Sequence, residues 1–372
     1  MNMSQPLLFT PIQLGGLTLP NRIVIAPMCQ FSAINGSATD WHIIHLGSLA
    51  LSGAGLLILE AAGVEPRGRI SRECLGIYSD ENEAALARVL DVVRRYSDMP
   101  IGIQLGHAGR KASVRKPGDG RGMAAMEDGG WQTVAPSAIA FGNDWRAPTA
   151  LDRAGMDDIL AAFTQATRRS HRVGFDLIEL HGAHGYLMSS FLSAIANQRS
   201  DEYGGSLRNR MRFPLEIFDA VRSAFPAGKP VGVRFNGTDW DSRGITPDEA
   251  VAFAHELKSH GCDFVDVSSG GNCYAEIPLR PGYQVPFAAQ VRRATGLPTM
   301  AVGLIRDPHH AEAILANGEA DMIATARGML NDPRWPWHAA EELGVTIPGP
   351  PQYARAMTRS GVPAHDTIPK VS

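Results

Sequence analysis

Cysteine is scarce in this 372-residue chain. The four present, Cys29, Cys74, Cys262 and Cys273, are widely spaced, with no CxxC pair. That argues against a zinc ribbon or a cysteine-ligated iron–sulfur cluster and suits a reducing cytoplasm. No run of about 18 or more uncharged apolar residues occurs, so no membrane span is expected. The N-terminus, Met1 to Thr10, has no basic segment followed by a long apolar core, so no secretory signal is expected. Charge of one sign is missing as well. A formal net charge of −3 predicts no attraction to nucleic acid or to an anionic membrane. The dinucleotide fingerprint GxGxxG does not follow the first strand-like run. Neither an acidic pair nor a nucleophile–base pair stands out, which weakens a hydrolytic reading.

What the chain does have is rhythm. Eight short, near-continuously apolar runs recur at Ile23–Met28, Leu56–Ala62, Ile101–Leu105, Leu177–His181, Val231–Phe235, Phe264–Ser268, Thr299–Val302 and Met322–Thr325. Such runs suit strands buried on both faces. Helix-like stretches alternate with them, among them Asp80–Tyr96, Met156–Val173, Leu207–Ala224, Pro247–His260 and Pro308–Ala316. Asp80, Thr246 and Asp307 supply start signals. The alternation predicts an α/β fold, a (β/α)8 TIM barrel in one domain spanning residues 1–347. An open doubly wound sheet has the same periodicity; the missing fingerprint favours the barrel. Residues 112–153, rich in Gly, Pro and charge, read as a long excursion of the kind that forms lids or binding loops. Residues 348–372 read as a tail.

Polar residues recur at the C-terminal ends of these runs, where a barrel carries its chemistry. The most informative is His181-Gly182-Ala183-His184-Gly185-Tyr186. Others are Cys29, Ala61, Gln104, His107, Arg234, Ser268, Gly303 and Arg327. Singly, each has a plainer reading: Gln104 satisfying a backbone group, Arg234 in an internal ion pair, Cys29 as a small hydrophobe, His107 structural. Together they suit redox chemistry at a phosphate-bearing ring cofactor. Arg327 and the nearby glycines can hold phosphate. Gln104 and Arg234 offer donors to a heterocycle, the two histidines can clasp one oxygen, and Tyr186 can supply a proton.

These residues resemble the old yellow enzyme family of flavin-dependent ene-reductases, in its bacterial thermophilic-like branch with the xenobiotic reductases. The resemblance runs to Arg355. It is carried by Asn21-Arg22-Ile23, Ala26-Pro27-Met28-Cys29, Gln104 with His107-Ala108-Gly109-Arg110-Lys111, Ala135-Pro136-Ser137, the His181–Tyr186 motif, Arg199 with Asp201–Ser206, Gly282-Tyr283-Gln284-Val285 and Ala326-Arg327. It implies a barrel that binds FMN tightly but non-covalently, with NADPH or NADH as transient reductant. By match, Ala26, Pro27, Met28, Cys29, Ala61, Gln104, Arg234, Gly303, Ala326 and Arg327 hold the cofactor. His181 and His184 bind the electron-withdrawing oxygen of an enone or nitro substrate, and Tyr186 donates the proton. Phe31, Lys111, Tyr353 and Arg355 shape the substrate site. No metal is implied. A homodimer or homotetramer follows if Tyr353 and Arg355 reach a neighbouring subunit. Phe31 stands where this branch usually has Tyr, Asn331 where some members have Arg, and Ala326 where Gly is frequent.

Overall fold

A computed structural model describes residues 5–356. Eight parallel strands close into a barrel. In chain order they are β1 (Ile23–Ile25), β2 (Leu56–Gly63), β3 (Ile101–Gly106), β4 (Leu177–Gly182), β5 (Val231–Asn236), β6 (Phe264–Ser268), β7 (Thr299–Ala301) and β8 (Met322–Thr325). Closure is made by β8 on β1, with Ile323 opposite Ile23 and Thr325 opposite Ile25. All eight expected runs are the barrel strands. The first is shorter than its apolar run: the amide of Ala26 still donates to Thr325 at 3.0 Å, and Pro27 has no N–H to continue the ladder.

The eight longer helices pack outside: α1 (Asp40–Ala50), α2 (Asp80–Arg94), α3 (Arg153–Val173), α4 (Leu207–Ala224), α5 (Pro247–Ser259), α6 (Val285–Thr295), α7 (Pro308–Ala316) and α8 (Trp335–Glu342). Their starts follow the side-chain chemistry. Thr246 and Glu249 form a reciprocal capping box on α5, and Asp307 accepts from the His310 amide on α7. On α2 the expected cap moves by one residue. Ser79 accepts from Asn82, and Asp80 becomes the first helical residue, where its negative charge still favours the helix start. Residues 112–152 hold no helix and no barrel strand; they contain a two-residue pairing of Val134–Ala135 with Thr149–Ala150 and single bridges from Val114 to Ser71 and Met123. Among the described residues, no helix is long and apolar enough to cross a membrane. Of the expected tail, residues 357–372 lie outside the described residues.

Side chains alternate across each strand, so the barrel interior fills in layers. The N-terminal layer is apolar: Leu56, Leu177, Phe264, Met300 and Met322, all fully buried. The hairpin Ile12–Leu14 with Leu17–Leu19 plugs this end through Leu14 and Leu19. Two residues further along β3, β4, β5 and β6 the inward side chains turn polar, to Gln104, Glu179, Arg234 and Asp266, while Ile58, Val302 and Ala324 keep the other side apolar. The layer above holds Gly106, His181, Asn236 and Ser268. Only residues without a side chain fit beside the large ones at the bottom. A Cβ on Gly232 would overlap the ring of Phe264. Gly232→Ala is therefore expected to destabilise the barrel by about 1–3 kcal/mol through overpacking. Urea denaturation measures it; an unchanged midpoint would show that the bottom layer is not packed in this way.

Candidate active site

The β4 motif forms the centre of the rim. His181 is the last inward residue of β4. The chain then turns through His184, whose φ of 61° is left-handed and unusual for a residue with a side chain. Three contacts hold that turn. The His184 amide donates to Asn236 Oδ1 at 3.0 Å, and Lys111 Nζ donates to the carbonyls of His184 (2.7 Å) and Gly271 (2.9 Å). Gly185 lies flat on the Gly271 backbone, where a Cβ would not fit. The strained residue persists because its surroundings over-determine it.

This turn brings two ring nitrogens to one point. His184 Nδ1 and His181 Nε2 are 3.4 Å apart, with the rings edge to face. On the far side, His181 Nδ1 accepts from the Ala183 amide at 3.3 Å, which leaves its proton on Nε2. His184 Nε2 sits 2.7 Å from Ser268 Oγ. The single Ser268 hydroxyl proton has two acceptors within reach, His184 Nε2 and Gln284 Oε1 at 3.3 Å; when it goes to His184, that ring carries its own proton on Nδ1, and both histidines then aim N–H groups at the same spot. Burial first, then the charges of Arg234 and Lys111, hold both rings well below the ordinary value of 6.5, so both are neutral at physiological pH. Tyr186 packs its ring edge to face on His181 at 4.7 Å. Burial raises its phenol, so the hydroxyl keeps its proton.

Beneath this pair lies the polar layer. Gln104 Nε2 donates to Glu179 Oε1 at 2.7 Å, and Arg234 Nε lies 3.1 Å from Asp266 Oδ2. Two buried carboxylates thus face one guanidinium. Burial, then Asp266, pushes Glu179 up to about 8; burial raises Asp266 as well. Lys111, half-buried with its ammonium largely desolvated and close to Arg110, is lowered to about 8.

Beside the histidines a recess of about 260 Å³ is lined by His184, Arg234, Ser268, Gly303, Ala326 and Arg327, among others. Gly303 takes φ +135°, a conformation that favours glycine. Arg306 and Arg327 are exposed at its edge and form no salt bridge among the described residues. A smaller pocket joins Ala61, His107, His181 and Tyr186. Ala26, Pro27, Met28 and Cys29 follow β1 on the same rim, ahead of Phe31, which is half-buried with φ 52°.

The structure thus gathers most of the expected residues at one end of the barrel. His107 binds Glu65 at 2.8 Å and accepts from the Gly109 amide, a structural placement. Within the chain, Tyr353 and Arg355 do not reach the histidines: Tyr353 packs against Trp337 and Arg334 on the outside of the barrel. Several partners were not read from the sequence. Glu179 and Asp266 sit inside apolar runs, where counting alternate residues from His181 and Ser268 would have turned them inward. Gln284, within the Gly282–Val285 segment of the resemblance, was given no role there; its Oε1 accepts from Ser269 at 2.6 Å and lies 3.3 Å from Ser268 Oγ, and its Nε2 donates to the Val302 carbonyl.

The recess fits FMN on its chemistry. It has free guanidinium groups and a glycine bend for phosphate, buried amide and guanidinium donors for the ring, and neutral donors above. A parallel barrel with such a rim is that of a nucleotide-dependent redox enzyme. A family model for the NADH:flavin oxidoreductase / NADH oxidase family matches residues 7–345. The chain is 44% identical over 353 residues to an NADPH dehydrogenase of Geobacillus sp. (strain WCH70), covering 94% of this chain and 98% of that one. It is 43% identical to one from Listeria monocytogenes serotype 4a, with the same coverage. Morphinone reductase superposes with a TM-score of 0.76 at 30% identity, over 93% of this chain and 92% of that one. A 2-naphthoyl-CoA reductase shares the fold at a TM-score of 0.81 and 24% identity; the chain spans 52% of its length. The chain belongs to the NADH:flavin oxidoreductase / NADH oxidase family, and is thus an oxidoreductase of the old yellow enzyme type. Its cofactors are FMN and a reduced nicotinamide nucleotide.

Glu179 has a measurable signature. Its folded value lies above its unfolded value of 4.5, so the folded state holds an extra proton between the two. That contribution is complete below pH 4.5 and is lost as pH rises through about 8. Glu179→Gln, which retains the acceptor for Gln104, is expected to flatten this decline in urea midpoints across the same range. A parallel decline in both proteins would contradict it.

Proposed function

We propose that this protein is an ene-reductase acting on activated C=C bonds of α,β-unsaturated carbonyls, and on nitro compounds, with NADPH or NADH as reductant. The observation that carries the reading is the convergence of two neutral histidine rings, with His184 Nδ1 and His181 Nε2 3.4 Å apart, beside the arginine-lined recess. FMN, when bound, supplies the electron relay between nicotinamide and substrate. Ala26, Pro27, Met28, Cys29, Ala61 and Gln104 line its ring, Arg234 balances negative charge there, and Gly303, Ala326 and Arg327 hold its phosphate.

His181 and His184 hydrogen-bond the substrate's carbonyl or nitro oxygen. Charge on that oxygen grows as the β-carbon is reduced, so these bonds strengthen toward the transition state and raise rate rather than affinity alone. Ser268, donating to His184 Nε2 in place of Gln284, selects the His184 tautomer. Tyr186 gives its proton to the α-carbon. Lys111 holds the His184 turn and borders the substrate space with Phe31. Arg355, with Tyr353, completes the site of a neighbouring subunit in a homodimer or homotetramer; full activity of a dilute monomer would dismiss that role. The NADPH dehydrogenases at 42–44% identity support the nucleotide assignment.

The test is an anaerobic absorbance titration. The flavin band of the holoenzyme should bleach with NADPH and recover with 2-cyclohexenone. A protein that takes up no FMN would sink the reading. Within it, His181→Ala and His184→Ala should each lower kcat/KM by about 10²–10³, or about 2.7–4 kcal/mol, with FMN content unchanged. Phe31→Tyr should alter KM across a series of enones; identical kinetics would remove Phe31 from the substrate site.

A further inference from the structure

Cys29 follows β1 and Cys74 lies in the loop after β2, yet the fold places them together. Their Sγ atoms and a Glu60 oxygen all lie within 4.8 Å of one another. The arrangement is built rather than incidental. The β2–β3 register shifts between Leu59 and Ala61, and this irregularity leaves Glu60 aside from the ladder. Its carboxylate receives the Gln30 amide at 3.1 Å and meets His42 Nε2 at 3.3 Å. The two cysteine loops are tied directly, by the Ala33 amide donating to the Glu73 carbonyl at 2.8 Å. Cys74 is fully buried, with Ser71 Oγ 3.4 Å from its sulfur, while Cys29 is half-buried on the rim.

The two sulfurs are chemically unlike. Hydrogen bonding from the Cys29 thiol, with help from Ser71, favours negative charge on Cys74. Cys29 is raised, by that same bond and by burial. The buried Cys74 sulfur is thus placed to attack an oxidised Cys29, and Cys29 is the one a small solute can reach.

We propose that Cys29 and Cys74 form a redox-active dithiol that hydrogen peroxide closes to a disulfide. The peroxide O–O bond breaks. Cys29 sulfur takes one hydroxyl to become a sulfenic acid, and the other leaves as water with the thiol proton. Cys74 sulfur then attacks the Cys29 sulfur and displaces the hydroxyl, which leaves with the Cys74 proton as a second water. Both sulfurs are oxidised, one peroxide becomes two waters, and a thiol reductant reverses the change. The cross-link joins the loops after β1 and β2 and takes the Cys29 thiol off the rim. Its effect on turnover rests on the flavin reading above; the cross-link itself does not.

The experiment treats the holoenzyme with a small excess of hydrogen peroxide, then denatures it in N-ethylmaleimide and digests it without reductant. Mass spectrometry should find the Cys29 and Cys74 peptides joined, with two hydrogens lost, and dithiothreitol should separate them. In Cys74→Ser the joined peptide cannot form, and Cys29 should advance to sulfinic acid, which dithiothreitol does not restore. Wild-type protein in which both cysteines are alkylated after peroxide, or in which Cys29 is sulfinic and Cys74 alkylated, overturns the proposal without need of any variant. A joined peptide with unchanged bleaching of the flavin by NADPH upholds the dithiol and counts instead against the placement of Cys29 at the flavin.

Discussion

The charge of Arg234, buried inside the barrel and paired with Asp266, governs the site. A guanidinium cannot shed its proton to escape burial, as a lysine can. Its surroundings therefore adjust to it. Asp266 lies 3.1 Å away on the adjoining strand, and Glu179 adds a second carboxylate that burial drives toward its protonated form. Above it, both histidines are held neutral, partly by this same cation. Ion pairs of this kind do little for stability. Here the pair has another consequence: after burial, the Arg234 cation is the next cause that holds both histidines neutral, so the rim presents neutral rings above an ion pair.

Strand alternation converts that electrostatics into geometry. Apolar side chains and the N-terminal hairpin seal one end of the barrel, the polar layer occupies the middle, and the histidines stand one layer higher. The donors owe their aim to residues that need not touch substrate. Asn236 and Lys111 pin the left-handed turn at His184, and Ser268, itself tied to Gln284, faces the nitrogen that selects the tautomer. A mobile histidine pair would lose rotational freedom on each binding event; this one has been ordered by folding.

Much of this was legible in the sequence. All eight strands were marked by uninterrupted apolar runs, and the Thr246 and Asp307 caps by local chemistry alone. The rim residues declared themselves because polar groups at the ends of apolar runs need a reason to be there. What stayed hidden was long-range. Glu179 and Asp266 look like interruptions of a hydrophobic strand until the barrel closes and turns them inward. Cys74 gives no sign of Cys29, since only the packing of two loops joins them. Ser79 rather than Asp80 caps α2 because either side chain can serve, and backbone direction decides between them. Tyr353 and Arg355 lie away from the site of their own chain, and one sequence carries no direct record of a second subunit.

The central claim is that His181 and His184 act as a neutral pair of donors. Its most direct test is the pH dependence of the oxidative half-reaction, followed by stopped flow as the enone reoxidises the pre-reduced enzyme. Between about pH 5.5 and about pH 7, where a free imidazole changes charge and which lies below the values of about 8 for Glu179 and Lys111, the rate should stay flat because both rings remain neutral. A rate that follows a group titrating near the ordinary histidine value of 6.5, and that loses this dependence in His184→Asn, would show that a charged imidazolium binds the substrate oxygen, and would contradict the account.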